Sequence, residues 1–547
     1  MKIRIIGAVA AGTSAATKAR RNNEEADIVI YERDTDISYS GCGLPYFIGE
    51  EIESMEVLTP RDPSFFKNEH NVDVKIGHEV LSIDAKNKTL EVKNLESDEI
   101  FTDSYDKLVI ATGASTFIPP IEGRQQDHVF GLRNPRDARA IKEYIDTHQP
   151  KKAVIVGTGF IGLELLENLV HLNIDTTLVE LMPKITPNLD EDMAKLLESK
   201  LEEKGVKILK ETSIQTIHKD HVTLQNGDEL EADIVLIATG VRPNTQLAQE
   251  IGVEIGPTRA IKVNSRMETN IKDIYACGDV AETFNLITGK PHWRPLGSTA
   301  NKMGRICGDV MTGGNLEFKG NLGTGIYRVF DISIGSSGLS EKEARELGYD
   351  IEIIHNSKED RPTYMGGQRM VIKAIADKAT HTLLGVQIVG YEGVDKRLDV
   401  LITLMTYRVP VEDFFHIDLG YAPPFSTTKD PVHYTGMIFS NILNKELPLI
   451  NCADLADCKD RVTLIDTRSK QDVEKHGMIN NAQHIPLAEL REMCKHLDPD
   501  QHIVVYCNSG TTGNIAQNLL KNSGFKEVSN LSGGHSLYKV VTNGSHQ

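Results

Sequence analysis

Two cysteines stand where a sulfur nucleophile could work. Cys42 lies in Ser38-Tyr39-Ser40-Gly41-Cys42-Gly43-Leu44-Pro45-Tyr46-Phe47. The glycines on either side carry no Cβ and let backbone approach a flat ligand closely. Cys507 follows the apolar run His502-Ile503-Val504-Val505-Tyr506 and opens Asn508-Ser509-Gly510-Thr511-Thr512-Gly513, ahead of a helical stretch. A thiol is a nucleophile only as thiolate, so each cysteine needs neighbours that favour the anion. At Cys507 the converging N–H groups of a helix start would lower the thiol pKa and hold an anionic persulfide. An isolated cysteine is more often a small core residue, so both readings rest on the surrounding sequence.

Two carboxylates mark nucleotide sites. Lys2-Ile3-Arg4-Ile5-Ile6 reads as a strand, Gly7-Ala8-Val9-Ala10-Ala11-Gly12 as a tight turn into an Ala-rich helix, and Ile28-Val29-Ile30-Tyr31 as a strand ending at Glu32. This order sets a helix N-terminus against pyrophosphate and an acid against ribose hydroxyls. Val9 holds the place of the middle glycine, and an ordinary βαβ crossover can show such glycines too. A second copy is complete: Ala153-Val154-Ile155-Val156, then Gly157-Thr158-Gly159-Phe160-Ile161-Gly162, a helix, and Thr177-Leu178-Val179 ending at Glu180. Two such units imply two nucleotides with electrons passing between them. A carboxylate at 180 repels the extra phosphate of NADPH and no arginine follows it at once, so NADH is expected, with NADPH the alternative.

These motifs need a large α/β scaffold, and the chain supplies one. Its 547 residues predict three or four domains. A net charge of −18 argues against nucleic acid as a general partner. No apolar run is long enough for a membrane span, and the N-terminus enters a strand at once rather than a signal peptide. The seven cysteines form no Cys-x-x-Cys, which argues against a disulfide framework or a metal site and for a reducing cytoplasm. Cys452, Cys458 and Cys494 are read as structural or surface residues. Apolar strands ending in Ala111-Thr112-Gly113 and Ala238-Thr239-Gly240, and the turn Tyr275-Ala276-Cys277-Gly278-Asp279, add further punctuation.

In this order, the motifs of residues 1 to about 440 resemble the two-dinucleotide flavoprotein disulfide reductases. The resemblance implies a doubly dinucleotide-binding α/β fold with an α+β dimerisation domain. FAD is expected in a discontinuous domain, 1–110 with 240–320, at Gly7, Gly12, Glu32, Ser40, Thr112, Gly113, Gly278 and Asp279. NADH is expected in 111–239, at Gly157, Gly159, Gly162, Glu180 and Gly240. Dimerisation falls to 321–440. Reductases of small dithiols carry a second cysteine five residues on, but here Phe47 stands there. The partner of Cys42 must therefore be a mixed disulfide, a persulfide or a sulfenic acid.

Cys42-Gly43-Leu44-Pro45-Tyr46 and Gly420-Tyr421-Ala422-Pro423-Pro424-Phe425 resemble the coenzyme A-disulfide reductases and their persulfide- and polysulfide-reducing relatives. That resemblance brings Tyr421 from a partner subunit to the cysteine, with Tyr364 beside it, although Arg361-Pro362-Thr363-Tyr364-Met365-Gly366-Gly367 departs from the family pattern. Coenzyme A is strongly anionic, so Arg20, Arg21, Arg61, Lys67 and Lys302 are candidates for its phosphates. Basic residues closing a helix also complement its dipole without any ligand.

After a connector at 441–455, residues 456–541 resemble a rhodanese domain with Cys507 as its sulfur carrier. The family's loop arginine is replaced by Thr512, which puts thiosulfate as donor in doubt. The expected enzyme is a cytoplasmic homodimer passing reducing equivalents from NADH through FAD to Cys42, with coenzyme A disulfide, coenzyme A persulfide or polysulfide as substrate. Fusion makes transfer between Cys507 and Cys42 a matter of effective concentration. The alternatives are an NADH oxidase or peroxidase cycling Cys42 through sulfenic acid, and a flavin-binding redox sensor without turnover.

Overall fold

The computed structural model describes residues 1–543, which form two compact units. The first comprises Met1–Pro183 and Lys207–Gly323, the second Lys184–Val206 and the chain from Thr324 onward.

The first unit contains two five-stranded parallel sheets. One runs Ile274–Ala276, Lys107–Ile110, Lys2–Ile6, Asp27–Tyr31, Asp73–Lys75. Its outermost strand comes from far along the chain, so the strands of the other sheet lie within the connection between it and the earlier strands. The other runs Lys207–Leu209, Asp175–Val179, Lys152–Val156, Ile234–Ile237, Val129–Gly131. Ile3, Ile5, Ile28, Ile30, Val154 and Ile155 are fully buried or nearly so, which explains why these strands read as unbroken apolar runs rather than alternations. Between the sheets the chain passes through an antiparallel ribbon, Ala114–Thr116 with Val241–Pro243, just beyond the two Ala-Thr-Gly turns. Asn244 clamps it: its Nδ2 donates to Thr112 O at 2.8 Å, and its own carbonyl accepts from Thr112 Oγ1 at 2.8 Å.

The helix after the first turn, Ala10–Asn22, is Ala-rich because a second helix, Gly297–Met311, lies almost backbone to backbone with it. A Cβ on Gly304 would stand 2.2 Å from Ala11 O, and one on Gly308 2.3 Å from Ala15 O. Small residues on both faces are what permit the approach.

In the second unit, an antiparallel sheet runs Gly325–Val329, Ile332–Gly338, Thr382–Gly390, Arg369–Asp377, Ile351–Glu359. Lys373 is buried in it, its Nζ 2.9 Å from both Asp192 and Glu341 and 3.2 Å from Asp190. Burial opposes the charge on Asp192, yet His355 and Lys373 hold its carboxyl far below the usual range. A second sheet in this unit, parallel, runs Leu449–Ile450, Glu527–Leu531, His502–Tyr506, Thr463–Asp466, Gln483–His484.

The connector expected at 441–455 is not a connector. The helix Pro431–Lys445 runs into it, Leu449–Ile450 pairs with Asn530 and Leu531, and Cys452–Cys458 is helical. Leu447, Ile450 and Leu455 are buried, so these apolar residues are core rather than tether. The C-terminal α/β domain therefore begins near Leu449.

Because the atom facing Gly304 is backbone and cannot swing aside, Gly304→Ala should destabilise the protein by about 1–3 kcal/mol. A urea melt reads this directly, and an unchanged midpoint would show that the two helices can part without cost.

Candidate functional site

The first turn holds Glu32 in place. Its Oε2 accepts from Ala8 N at 2.8 Å and its Oε1 from Asp34 N at 2.9 Å, and burial pushes its carboxyl upward. Each oxygen keeps acceptor capacity for a ribose hydroxyl. Gly12 is obligatory by contact, since a Cβ there would sit 1.9 Å from Gly7 O. Neither Val9 nor Gly159 caps its helix with a side-chain bond, so both helices offer free N–H groups to phosphate. At the second turn, Glu180 Oε2 accepts from Thr158 N (3.0 Å) and Thr158 Oγ1 (2.6 Å), and Oε1 from Met182 N (2.9 Å). A Cβ on Gly162 would stand 2.2 Å from Gly157 O, whereas at Gly159, Gly113 and Gly240 it would meet nothing. The closed positions pack helix on strand and the open ones leave room for a ligand.

Cys42 lies in the short turn Gly41–Gly43, which leads into Leu44–Ile48. Ser40, the residue before that turn, donates its backbone N–H to Leu58 O at 2.9 Å. Leu44, Pro45 and Ile48 are buried, and this segment packs on the helices Pro135–His148 and Phe160–His171. A Cβ on Gly49 would fall 1.9 Å from Asn168 Oδ1, which shows how tightly it meets the second of these. Cys42 itself reaches the surface. Even so, its thiol is raised, first by burial and then by Glu164, with Asp279 adding and Arg133 opposing. Arg133 is engaged elsewhere: its NH2 pairs with Asp279 at 2.6 Å and its Nε donates to Ala114 O at 2.9 Å. The electropositive setting expected for Cys42 is thus not supplied by side chains. Asp279 also follows Gly278, where a Cβ would meet Ala11 Cβ at 2.7 Å, so it sits at the first nucleotide turn. Glu164, Asp279 and Arg133 are thus the charged side chains that act on the Cys42 thiol, and two of them are paired with each other.

Glu164 is a residue that motif reading passes over. It stands two positions after Gly162 on the nucleotide helix, and burial followed by Glu167 raises its carboxyl to about 7. The available signal was an acid pair, Glu164 and Glu167, inside the otherwise apolar stretch Phe160-Ile161-Gly162-Leu163-Glu164-Leu165-Leu166-Glu167.

The basic residues read for coenzyme A divide. Arg20 is excluded because it is 5 % exposed and its guanidinium bonds only backbone: His70 O at 3.1 Å, Asn23 O at 3.3 Å, Glu24 O, and Ala26 O and Asn71 O at 2.7 Å each. A fork with five donors is being used to close a helix end onto two loops. Arg21 turns back to Thr17 O at 3.1 Å, Lys67 pairs with Asp73 at 2.9 Å, Arg61 lies 5.3 Å over Phe65, and Lys302 is exposed on Gly297–Met311. In the second unit, Tyr364 and Tyr421 are 74 % and 49 % exposed. Tyr421 lines an open cleft with Arg361, Lys396, Arg397 and Phe425.

Cys507 follows the strand His502–Tyr506 and stands in the short loop that leads into the helix Thr511–Asn522. Gly510 N donates to its Sγ at 3.2 Å, and its carbonyl accepts from His535 N at 2.8 Å. The loop from 507 to 513 contains no cation. The domain's own Arg468 is buried against Asp466, with NH2 at 2.5 Å from Oδ2 and Nε at 2.9 Å from Oδ1. Burial, then Arg468, lowers His535 to about 4.

Among the described residues, no three or more His, Cys, Asp or Glu side chains gather as for a metal ion, and no helix is long and apolar enough to cross a membrane.

Three family models match the chain: a pyridine nucleotide-disulphide oxidoreductase over residues 1–300, the dimerisation domain of that family over 326–431, and a rhodanese-like domain over 452–540. A coenzyme A disulfide reductase of Staphylococcus haemolyticus is 35% identical over 437 residues, covering 80% of this chain and 98% of that protein. The reduced CoADR-RHD of Bacillus anthracis superposes with a TM-score of 0.97 at 33% identity, covering 99% of this chain and 98% of that one. An NAD-dependent persulfide reductase from A. fulgidus gives 0.92 at 36% identity, covering 98% and 100%. With both nucleotide turns, the solitary cysteine and these matches in agreement, the chain belongs to the pyridine nucleotide-disulphide oxidoreductase family, extended by a dimerisation domain and a rhodanese-like domain.

Proposed function

We propose that this protein is a homodimeric, cytoplasmic flavoenzyme that uses NADH to reduce coenzyme A disulfide or coenzyme A persulfide at Cys42, while Cys507 carries sulfane sulfur. The observation that carries this reading is the solitary sulfur. Arg133, Asp279 and Glu164 act on the thiol of Cys42, and Phe47 fills the place of a resolving thiol. Names given to similar proteins, a coenzyme A disulfide reductase and a persulfide reductase, support the same substrates.

Residues 1–110 and 240–320 would hold FAD, through the uncapped helix start, Glu32 and Asp279. Residues 111–239 would hold NADH, and the buried carboxylate of Glu180 disfavours a 2′-phosphate. When bound, FAD supplies a two-electron relay between NADH and the sulfur of Cys42. The thiolate of Cys42 attacks one sulfur of the substrate S–S bond, forming a mixed disulfide and expelling a thiolate, or hydrosulfide from a persulfide. Two electrons then cleave the mixed disulfide, returning Cys42 and freeing the remaining thiolate. Because Glu164 titrates near neutral pH, it can keep a proton beside the sulfur at working pH. Tyr421 of the partner subunit is proposed as a second proton donor, with Tyr364 near it; their exposure in a single copy supports this.

Mass spectrometry of the untreated protein should show an adduct of coenzyme A mass on Cys42, absent from Cys42→Ser, which should lose disulfide reduction by about a thousandfold or more. Faster reoxidation by peroxide than by either coenzyme A substrate would overturn the reading. A pH series tests Glu164. Its folded value of about 7 lies above the ordinary value of 4.5, so its contribution to stability is full below about 4.5 and is lost as pH rises through 7. Glu164→Gln should therefore be the more stable protein at pH 8. It should also move the alkylation profile of Cys42 to lower pH, since a negative neighbour has been removed. Superimposable iodoacetamide profiles would show that the carboxylate does not face the sulfur.

A further inference from the structure

The loop that holds Cys507 presents no positive charge of its own, yet one reaches it from another domain of the same unit. Lys358, on the edge strand Ile351–Glu359 of the antiparallel sheet, donates from Nζ to Thr511 Oγ1 at 2.7 Å. The same Nζ lies 4.0 Å from the centre of the Tyr434 ring. Its neighbour Glu359 is taken by Arg369 at 2.8 Å, and Lys358 makes no ion pair with a carboxylate among the described residues. Lys358, Tyr434, Ser509, Gly510, Thr511 and Asn514 line one cavity beside the loop. The strand is also fastened to the domain behind the loop, since Ser532 Oγ accepts from His355 N at 2.9 Å.

We propose that Lys358 is the cation of the Cys507 sulfur site, neutralising the persulfide anion and fixing Thr511 at the loop's mouth. This rests on the reading that Cys507 carries sulfane sulfur. The transfer balances as follows. The Cys507 thiolate attacks the outer sulfur of a persulfide R–S–SH, the new Cys507 S–S bond forms as the S–S bond of the donor breaks, and the proton passes to the departing thiolate R–S⁻. The products are R–SH and Cys507–S–S⁻, with no net oxidation or reduction. The added sulfur extends the side chain by about 2 Å and moves the negative charge outward. The charges around Lys358 fit the role. Burial lowers its pKa, Glu359 and the Cys507 thiolate raise it, and Arg369 and Lys429 oppose them. A half-buried ammonium without a committed carboxylate gains most from a new anion. A lysine, a compact point charge, suits a terminal sulfur, which needs no bidentate fork.

The test uses the full-length holoenzyme and glutathione persulfide as donor, following Cys507 persulfide by mass spectrometry across a pH series. Lys358→Met should load about tenfold more slowly, with its profile displaced to alkaline pH, and Lys358→Arg should recover most of the rate. Loading of Lys358→Met at the wild-type rate and profile would overturn the assignment, as would Lys358→Arg loading no faster than Lys358→Met. Wild type that takes no sulfur on Cys507, with Cys507→Ser indistinguishable from it, would instead remove the carrier reading and this inference with it.

Discussion

A sulfur atom can attack only when it carries charge, and the two cysteines of this protein meet that constraint in opposite ways. Around Cys42 the chain supplies more negative than positive charge. Burial and Glu164 raise the thiol, Asp279 adds to them, and Arg133, the opposing cation, is paired with Asp279. These side chains alone favour the neutral thiol over the thiolate at this position. Cys507, in the role proposed for it, needs no electrons, since sulfur transfer from a persulfide involves no net oxidation or reduction. Its setting is correspondingly simple: a helix start, a backbone N–H on Sγ and an ammonium at the mouth of the loop.

Contact distances of the backbone explain how the first of these settings is built. The nucleotide turns close because Gly7 with Gly12, and Gly157 with Gly162, bring carbonyl and Cα into contact. The same economy of side chains lets Gly297–Met311 lie against the first helix. Asp279 reaches Arg133 only because the late strand Ile274–Ala276 is hydrogen-bonded beside Lys107–Ile110. The charge balance at Cys42 therefore depends on a strand contributed from late in the chain.

What the sequence made legible follows from range. Turn, helix, strand and acid occur within about thirty residues in each nucleotide unit, so Glu32 and Glu180 could be placed from spacing alone, and the structure ties each to its own turn. Arg20 was misread because a helix-ending arginine looks the same whether it faces phosphate or the carbonyls of His70 and Asn71; only tertiary contact distinguishes them. Glu164 hid in an apolar helix as a solvated acid would. The core character of segment 441–455 was not legible because the partners that bury its apolar residues, such as Leu531, come from the far end of the chain. Lys358 and Thr511 are 153 residues apart, beyond any periodicity argument.

The buried junction changes what fusion means within the second unit. A flexible tether would give Cys507 an effective concentration set by linker length. Here Leu447, Ile450 and Leu455 are core residues, and strand Ile351–Glu359 holds the C-terminal domain at Ser532 and Thr511. His355 Nε2 in turn lies 2.8 Å from Asp192 Oδ2, and Lys373 binds the same carboxylate. Asp192 thus ties together two neighbouring strands of the antiparallel sheet, one of them the edge strand that meets the loop of Cys507. Polar contacts of this kind fix geometry more than they add stability, because each buried charge surrenders most of its Coulomb gain to desolvation. Their effect is orientation: the loop opens beside a fixed lysine rather than at the end of a string.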